Sequence, residues 1–322
     1  MKLSVVHRTL YQYGDTVTTS HHEARLAPRD SEFQRTLSHE LLITPAPEAR
    51  RRRFDYFGNR TVHFSISEPH RSLEVRASSV VDVTPLRPPI LGSTPPWESV
   101  RDRLRADRRR DVLDAYAMCF DSPHVQVGPE VSAYAAPSFQ RGRPVLEAVG
   151  ELMDRIYREF AYDPRATEVS TPLVTLLQDR RGVCQDFAHL AIGCLRSVGL
   201  PARYVSGYLL TRPPPGKPKL VGADASHAWF ATFIPEYGWV DFDPTNNLIP
   251  SDEHITIAYG RDFADVTPIR GVILGGGQHE LSVAVDVNLV EDAEAAVEGE
   301  HVHSESTDTI LPTSGSRARE AL

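Results

Sequence analysis

The sequence has few cysteines, few lysines and no long apolar run. Three cysteines among 322 residues form no disulfide framework, and an odd number is typical of proteins kept in a reducing compartment. No apolar stretch reaches the roughly 18 residues that a membrane-spanning helix needs. The first residues also lack the apolar core, about 7 residues long, that marks an export signal. We therefore expect a cytoplasmic protein with no membrane partner.

Charge is distributed unevenly along the chain. Basic charge is carried almost entirely by arginine, because lysine occurs only three times. The net charge is −8, and the segment 291–322, with eight acidic residues against two arginines, accounts for −6 of it. The remainder is close to neutral and does not present the basic surface that nucleic acids require. The composition therefore predicts no nucleic-acid partner.

The acidic segment 291–322 is rich in serine, threonine and alanine and contains almost no aromatic or branched apolar residues. Such a segment cannot bury enough apolar surface to offset the conformational entropy lost on ordering. We predict a disordered tail.

The rest of the chain divides into two regions by pattern. Residues 1–90 contain short alternating runs of apolar and polar residues between Gly, Pro, Asp and Asn, a pattern typical of an antiparallel β-sandwich. A proline-rich stretch at 86–98 is the predicted domain boundary. Residues 91–290 form the predicted second domain, and its helical patterns lie at 98–120, 144–160 and 172–178. A chain of this length is sufficient for two domains.

One stretch, Arg180–Tyr208, organises the second domain. It contains a glycine-broken loop, a predicted amphipathic helix that begins at Cys184, a stop at Gly199–Pro201 and then a strand. The residues predicted for the polar side of the helix are Gln185, His189 and Arg196. A thiol in the first turn lies near unpaired N–H groups and the positive end of the helix dipole, which favour the thiolate. Cys184 is therefore a candidate nucleophile.

A histidine and an aspartate follow on two predicted neighbouring strands. His227 begins the first strand and Asp243 ends the second, and the turn at 235–238 brings these two ends together. An imidazole beside a carboxylate is held in one tautomer and gains basicity, as a general base requires. With Cys184 they would form a Cys-His-Asp arrangement for acyl transfer. Each residue alone is more often structural, so it is the combination that indicates chemistry.

These motifs closely resemble those of the bacterial transglutaminase-like superfamily, whose catalytic core is papain-like. The matching segments are GVCQDFAHLAIGCLRSVGLPARYVSGY, SHAW and GWVDFDPTN. The resemblance covers roughly residues 161–287, and residues 1–90 resemble the N-terminal β domain of one bacterial branch. It implies an α+β protein in which a β-sandwich precedes a helix bundle packed on an antiparallel sheet. It also implies Cys184 as nucleophile, His227 as base and Asp243 as orienting acid. We expect no cofactor and no metal. Ala231 departs from the pattern, since many members carry an acid there.

Some site assignments stay open. Asp241 competes with Asp243, because residues two apart in a strand point to the same face, although the Asp-Pro-Thr match favours Asp243. The backbone N–H of Cys184 is the natural first oxyanion donor. Gln178 lies six residues before the cysteine, as in papain-type proteases, but it also fits an exposed helix position. His189 and His254 are predicted to lie at the surface.

Three classes of function are compatible with these residues. The first is acyl transfer at amide bonds of peptide or protein substrates, through a thioester on Cys184, to water or to an amine. Such an enzyme would be a transglutaminase-like peptidase, amidase or transglutaminase. The second is a catalytically silent peptide-binding module, which would be free to lose part of the triad. The third is a structural zinc site, but no CxxC or HxxxH pair is present. The sequence favours the first class.

The composition of the tail leads to a prediction about truncation. Deleting residues 293–322 should leave the melting temperature and the reactivity of the cysteine nearly unchanged, because the segment lacks residues that form a core. Differential scanning calorimetry and thiol alkylation of the full and truncated chains would test this. A melting temperature several degrees lower after truncation would show that the tail docks on the folded part.

Overall fold

The computed structural model describes residues 1–85, 90–211 and 226–290. The predicted tail at 291–322 lies outside this part, as do residues 86–89 of the predicted linker. The strands described are β1 (Lys2–Ala24), β2 (Gln34–Thr44), β3 (Ala49–Phe54), β4 (Arg60–Ile66), β5 (His70–Val83), β6 (Ala161–Tyr162), β7 (Arg181–Gly182), β8 (Ala202–Leu209), β9 (Ser226–Ile234), β10 (Gly238–Phe242), β11 (His254–Gly260), β12 (Ile269–Gly275) and β13 (His279–Leu289). The helices described are α1 (Trp97–Ala106), α2 (Arg110–Tyr116), α3 (Pro129–Ala135), α4 (Val145–Glu159), α5 (Leu173–Asp179), α6 (Cys184–Ser197) and α7 (Phe263–Val266).

The N-terminal region is built around one long strand. β1 is 23 residues long and buries roughly every second side chain along its first half, as a strand with one covered face does. Its first half pairs with β5 and β13, and its second half pairs with β4 and β12. With β2 and β3 outside β5 and β4, the result is a seven-stranded sheet. All of these pairings are antiparallel, as predicted.

The last two described strands return to this sheet. β13 pairs with β1 from Leu3 opposite Leu289 to Tyr13 opposite His279. Without β12 and β13, β1 would present a row of unpaired backbone groups along this side. The sequence pattern predicts these strands within the second domain but not their pairing with β1, because strand periodicity does not reveal which distant strand is the partner. The division of the chain near residue 90 stays a prediction.

The second region packs helices on a separate four-stranded antiparallel sheet, in the order β10-β9-β8-β11. The central helix α6 contacts β8 and β9, while α3, α4 and α5 surround it. This confirms the predicted α+β class with helices packed on an antiparallel sheet. The helix predicted at 98–120 is divided, because the Asp107 carboxylate accepts a hydrogen bond from the backbone N–H of Arg109 and ends α1. Among the described helices, none is long and apolar enough to span a membrane.

Helix α6 is buried on all sides, which contradicts its predicted amphipathic character. Eleven of its 14 residues are buried, including Arg196 at 5% exposure and His189 at 3%. The Arg196 guanidinium donates to three backbone carbonyls and to the Ser122 hydroxyl. The His189 Nε2 accepts from the backbone N–H of Phe263 at 3.2 Å. The prediction of a surface position for His189 was therefore wrong, because its partner lies 74 residues away in sequence.

Two amide side chains of the N-terminal region cap the outer edge of β11. Gln34 donates to the backbone carbonyl of Thr256 and accepts from the N–H of the same residue, both at 2.8 Å. Asn59 does the same for Tyr259, at 2.7 and 2.8 Å. Each amide thus satisfies the backbone groups that a further strand would have paired with. We call this contact the amide clamp.

A glycine in β8 makes room for a large side chain of β9. A Cβ atom added at Gly207 would lie 2.4 Å from the Trp229 ring and 2.1 Å from the backbone oxygen of Ile255. Trp229 is fully buried, so neither neighbour can move away easily. The close packing of β8, β9 and β11 therefore depends on the absence of a side chain at Gly207.

We predict that Gly207→Ala lowers the free energy of unfolding by about 1–3 kcal/mol, the usual cost of overpacking a core. Urea denaturation of wild type and variant would measure the loss. Gly92→Ala is the matched control, since the nearest atom to its added Cβ is 3.9 Å away. Equal stability of the two variants would show that the sheet adjusts freely at residue 207.

Candidate functional site

Cys184 lies at the first position of α6, and its surroundings hold the helix start in place. The preceding residue, Val183, is extended, with φ −119° and ψ 178°. Its backbone N–H donates to the Asp186 carboxylate at 2.9 Å, and the Thr167 hydroxyl donates to the same oxygen at 2.6 Å. Asp186 is buried, and burial raises the pKa of its carboxyl. The partly buried free thiol of Cys184 is therefore presented by a fixed turn.

The two-residue strands β6 and β7 place a tyrosine beside the thiol. Tyr162 pairs with Gly182 in a parallel arrangement. A Cβ atom at Gly182 would lie 2.8 Å from the Asp186 carboxylate, so the glycine is required for this close approach. Burial raises the pKa of Tyr162, and the charge of Cys184 raises it further. Tyr162 was not predicted as a site residue, since a two-residue strand leaves no periodic signal in the sequence.

His227 and Asp243 lie together, as their positions on β9 and after β10 predict. His227 Nε2 is 2.7 Å from Asp243 Oδ2. Asp243 lies just beyond the end of β10, and its backbone exchanges hydrogen bonds with Leu248 across the intervening turn. The carboxylate is thus fixed by the turn rather than by the strand.

The Asp243 carboxylate is fully buried and accepts five hydrogen bonds. Its Oδ2 lies 2.7 Å from His227 Nε2, 2.7 Å from Asn246 Nδ2 and 3.2 Å from His254 Nε2. Its Oδ1 accepts from the backbone N–H groups of Thr245 and Asn246 at 3.0 and 3.3 Å. Burial acts to raise the pKa of Asp243, but these donors outweigh it and hold the pKa below the ordinary value of 3.8. The carboxyl is therefore ionised at neutral pH.

The His227 imidazole faces both Asp243 and Cys184. Burial by itself lowers the pKa of His227, but hydrogen bonds to Asp243 and to Cys184, together with their charges, raise it to about 10. Since Nε2 is bonded to Asp243, Nδ1 is the nitrogen available to the thiol. At neutral pH the site contains an imidazolium between a carboxylate and a cysteine.

His254 is a fourth member of this group, and the prediction that it lies at the surface was wrong. It is 5% exposed, and its Nε2 lies 3.2 Å from the Asp243 carboxylate. The ring packs edge-on against Trp229, with centroids 5.2 Å apart and an interplanar angle of 84°. The prediction failed because β11, which carries His254, was not recognised, so no partner was visible.

Two other candidate residues, Asp241 for the orienting acid and Gln178 for an oxyanion donor, make no described contact with the His227 imidazole. Asp241 accepts from the Trp229 indole N–H at 3.0 Å, and no hydrogen bond joins it to His227 among the described residues. Burial raises the pKa of Asp241. Gln178 is exposed on α5, which agrees with the alternative prediction of an exposed helix position. The geometry therefore favours Asp243 as the partner of His227.

The same group also offers a donor set that suits a metal ion. His227, Asp243 and His254 each provide one ligand atom, and these atoms lie within 4.8 Å of one another. Two imidazoles and a carboxylate are ligands that zinc accepts. In this structure the Asp243 Oδ2 is instead shared between the two Nε2 atoms as a hydrogen-bond acceptor.

Comparison with known families matches both regions of the chain. Residues 3–82 match the model of the bacterial transglutaminase-like N-terminal region, and residues 132–244 match that of the transglutaminase-like superfamily. The second match includes all three predicted triad residues.

Several proteins are similar over most of the chain. A Mycobacterium tuberculosis protein is 42% identical over 291 residues, which is 88% of this chain and 91% of the relative. A Mycobacterium leprae protein is 34% identical over 289 residues, 89% of this chain and 98% of the relative. Both are uncharacterised. A protein-glutamine gamma-glutamyltransferase of Pseudomonas aeruginosa is 37% identical over 106 residues, 32% of this chain and 16% of that protein.

A solved structure shares the fold. The chain of a candidate cysteine protease from Cytophaga hutchinsonii aligns with a TM-score of 0.70 and 24% sequence identity, covering 89% of this chain and 90% of its own. The similarity extends over both sheets, because neither region alone is long enough to account for 89% of this chain.

The raised pKa of His227 gives a test of the site geometry. We predict that the imidazole stays protonated through pH 8, and that Asp243→Asn lowers its pKa by at least about one unit, because the neutral amide no longer stabilises the imidazolium. NMR titration of labelled histidine would measure both values. Since the pKa of His227 is raised in the folded state, its protonation stabilises the fold fully below about pH 6.5, and this stabilisation is lost as the pH rises toward about 10. The lowered pKa of Asp243 acts at the other end of the range, since the stabilisation from its ionised carboxylate is lost as the pH falls below the ordinary value of 3.8.

Asp241→Asn is the matched control for this titration, because it removes a neighbouring carboxylate that bonds Trp229 and not His227. An equal fall in the pKa of His227 in both variants would contradict the geometry described above.

Proposed function

We propose, since the chain belongs to the transglutaminase-like superfamily, that it is a cysteine acyltransferase or cysteine peptidase acting at amide bonds of peptide or protein substrates. One observation carries the proposal. The helix-start thiol of Cys184 and a carboxylate buried at Asp243 face the same imidazole, His227. A cysteine beside an imidazolium is stabilised as the thiolate, which is the nucleophilic form.

The proposed reaction has two halves. In the first, the Cys184 thiolate attacks the carbonyl carbon of the amide, and the His227 imidazolium gives its proton to the departing nitrogen. The C–N bond breaks, an amine leaves and a thioester remains on Cys184. In the second half, water or an amine attacks the thioester while neutral His227 accepts its proton. The C–S bond then breaks, which returns the thiolate and the imidazolium.

Asp243 supports both halves without exchanging a proton. Its pKa is held below the ordinary value, so it stays a carboxylate while His227 changes its charge. It keeps the Nε2 of the imidazole bonded, which directs Nδ1 to the thiol. This is the orienting role that an acid takes in such triads.

The helix start supplies the first site for the developing oxyanion. Backbone N–H groups in the first turn of a helix have no acceptor within the helix. The N–H of Cys184, in this first turn, would bond the carbonyl oxygen as negative charge develops on it. Tyr162, which lies beside the thiol and is 56% exposed, would line the path of the substrate.

The triad is compatible with either water or an amine as the acceptor of the acyl group. The Pseudomonas aeruginosa relative is a protein-glutamine gamma-glutamyltransferase, which supports glutamine side chains as acyl donors and amines as acceptors. Water reaches the same thioester whenever no amine competes. We further propose that the reaction takes place in the cytoplasm, on the composition of the chain.

The proposal predicts which variants lose activity. Cys184→Ala and His227→Ala should each abolish formation of an acyl adduct, and the double variant should lose no more, because the residues act as one unit. Asp243→Asn should lower the rate by about 10²–10⁴, whereas Asp241→Asn should lower it far less. The assay incubates the protein with an activated ester or a glutamine-containing peptide, detects the adduct by mass spectrometry, and follows its release with and without a primary amine.

Cys194→Ala is the matched control for the nucleophile, since Cys194 lies in the same helix and burial raises the pKa of its thiol. That variant should form the adduct normally. If no acyl donor modifies Cys184, and Cys184→Ala binds peptides as tightly as wild type, the chain is a silent peptide-binding module. If Asp241→Asn is the more damaging change, the third member of the triad is Asp241.

A further inference from the structure

We propose that His254 is a positioning residue for the acyl-transfer site, holding the Asp243 carboxylate in the orientation that His227 requires. This inference rests on the proposed function and adds a second histidine to it. Its basis is a direct contact: His254 Nε2 lies 3.2 Å from Asp243 Oδ2, the same oxygen that His227 Nε2 approaches to 2.7 Å.

The direction of this hydrogen bond follows from the surroundings of the ring. Asp243 is an ionised acceptor, so His254 Nε2 must carry the proton that it shares. The other nitrogen, Nδ1, is buried and has no hydrogen-bond partner among the described residues. The geometry therefore makes His254 a hydrogen-bond donor to Asp243 through Nε2.

The ring of His254 packs against two other rings. Trp229 packs edge-on against it, and the Trp229 indole is itself fixed by its hydrogen bond to Asp241. The His227 ring lies on another side, with centroids 6.1 Å apart. The titratable groups that face His254 are Asp243, Asp241 and His227. Because the first contact is the shortest, the main effect of His254 falls on Asp243.

Asp243 needs this donor because its other bonds do not lock both oxygens. The backbone N–H groups of the turn hold Oδ1, while Oδ2 is left to His227, Asn246 and His254. His227 changes its charge and its hydrogen bonding during the reaction, and Asn246 is exposed. Among the described residues, His254 is the buried side-chain donor to Oδ2 that takes no part in the proposed proton transfers. Without it, the carboxylate would be free to turn away from His227 between the two halves of the reaction.

His254 also connects the triad to the N-terminal region. It begins β11, the strand whose outer edge is held by the amide clamp of Gln34 and Asn59. The position of the His254 backbone therefore depends on both regions of the chain.

The test compares two substitutions at residue 254. His254→Leu removes the donor and keeps an apolar side chain in the buried space. His254→Gln keeps an N–H group that can reach the same oxygen. The measurements are the NMR titration of His227 in each variant, made also in a Cys184→Ala background, and the pH profile of adduct formation at Cys184.

We expect His254→Leu to lower the pKa of His227 by about one unit, and adduct formation by about 10- to 100-fold, the range for losing one hydrogen bond to a charged group. The alkaline limb of the pH profile should move down with the pKa of His227. His254→Gln should restore most of both values. His189→Leu is the matched control, since His189 is equally buried but bonds the backbone of Phe263. It should lower the unfolding midpoint without moving the titration.

Two results would overturn the proposal. The first is a His254→Leu variant that loses stability in urea denaturation while the titration of His227 and the alkaline limb stay in place, because His254 would then only fill space. The second is an equal loss in His254→Leu and His254→Gln with both variants folded, because the donor would then be irrelevant. The titration in the Cys184→Ala background needs no turnover. A failure of the acyl-transfer proposal would therefore leave the effect on His227 measurable.

Discussion

The site depends on the cost of burying one negative charge. A carboxylate with no exposure to water is tolerated only when hydrogen bonds and an opposite charge replace its hydration. Asp243 meets this condition with donors from the turn that follows β10, from β9 and from β11. In the packed structure, the donors from these three elements all lie within hydrogen-bond distance of the Asp243 carboxylate. The requirement that stabilises the carboxylate therefore also fixes the imidazole.

The charge on Asp243 has a second effect, on the cysteine. Because the imidazole is kept protonated, with its pKa raised to about 10, a positive charge faces the first turn of α6 at neutral pH. The helix start contributes unpaired N–H groups in the same place. The Asp243 carboxylate keeps the imidazole positively charged, and the imidazolium and the start of α6 both favour negative charge on the sulfur atom of Cys184.

Local sequence signals sufficed to place Cys184 at the start of α6 and to bring His227 and Asp243 together, while the catalytic roles of the three residues stay predictions. The glycine loop and the stop at residues 199–201 mark α6, and the hairpin at 235–238 fixes the separation of His227 and Asp243. The choice between Asp241 and Asp243 could not be made from periodicity, because Asp243 has left the strand and is oriented by the turn of Thr245 and Asn246. Side chains whose partners are distant in sequence escaped prediction altogether. His254 and the buried Arg196 are of this kind, since each lies among backbone groups or side chains contributed by separate segments.

The family departure at Ala231 has a local explanation. Ala231 lies opposite Asp241 in the pairing of β9 with β10 and is fully buried. An acid at this position would place two carboxylates side by side in a buried site, and one of them would have to be neutral. In this chain Asp241 is instead bonded by the Trp229 indole. Alanine at residue 231 thus places no second carboxylate beside Asp241, and it takes no part in the hydrogen bonds of Asp243.

The amide clamp determines what can be exchanged between relatives. Residues 3–82 and 132–244 match two separate family models, which invites the view that they are interchangeable modules. In this chain the edge of the four-stranded sheet is completed by two side chains from the other region, Gln34 and Asn59. A recombinant that joins this sheet and its helices to a foreign N-terminal region would leave an open sheet edge unless the new partner carries amides at the same two points. Gln34 and Asn59 therefore belong structurally with the four-stranded sheet, although both residues lie in the segment that matches the other family model.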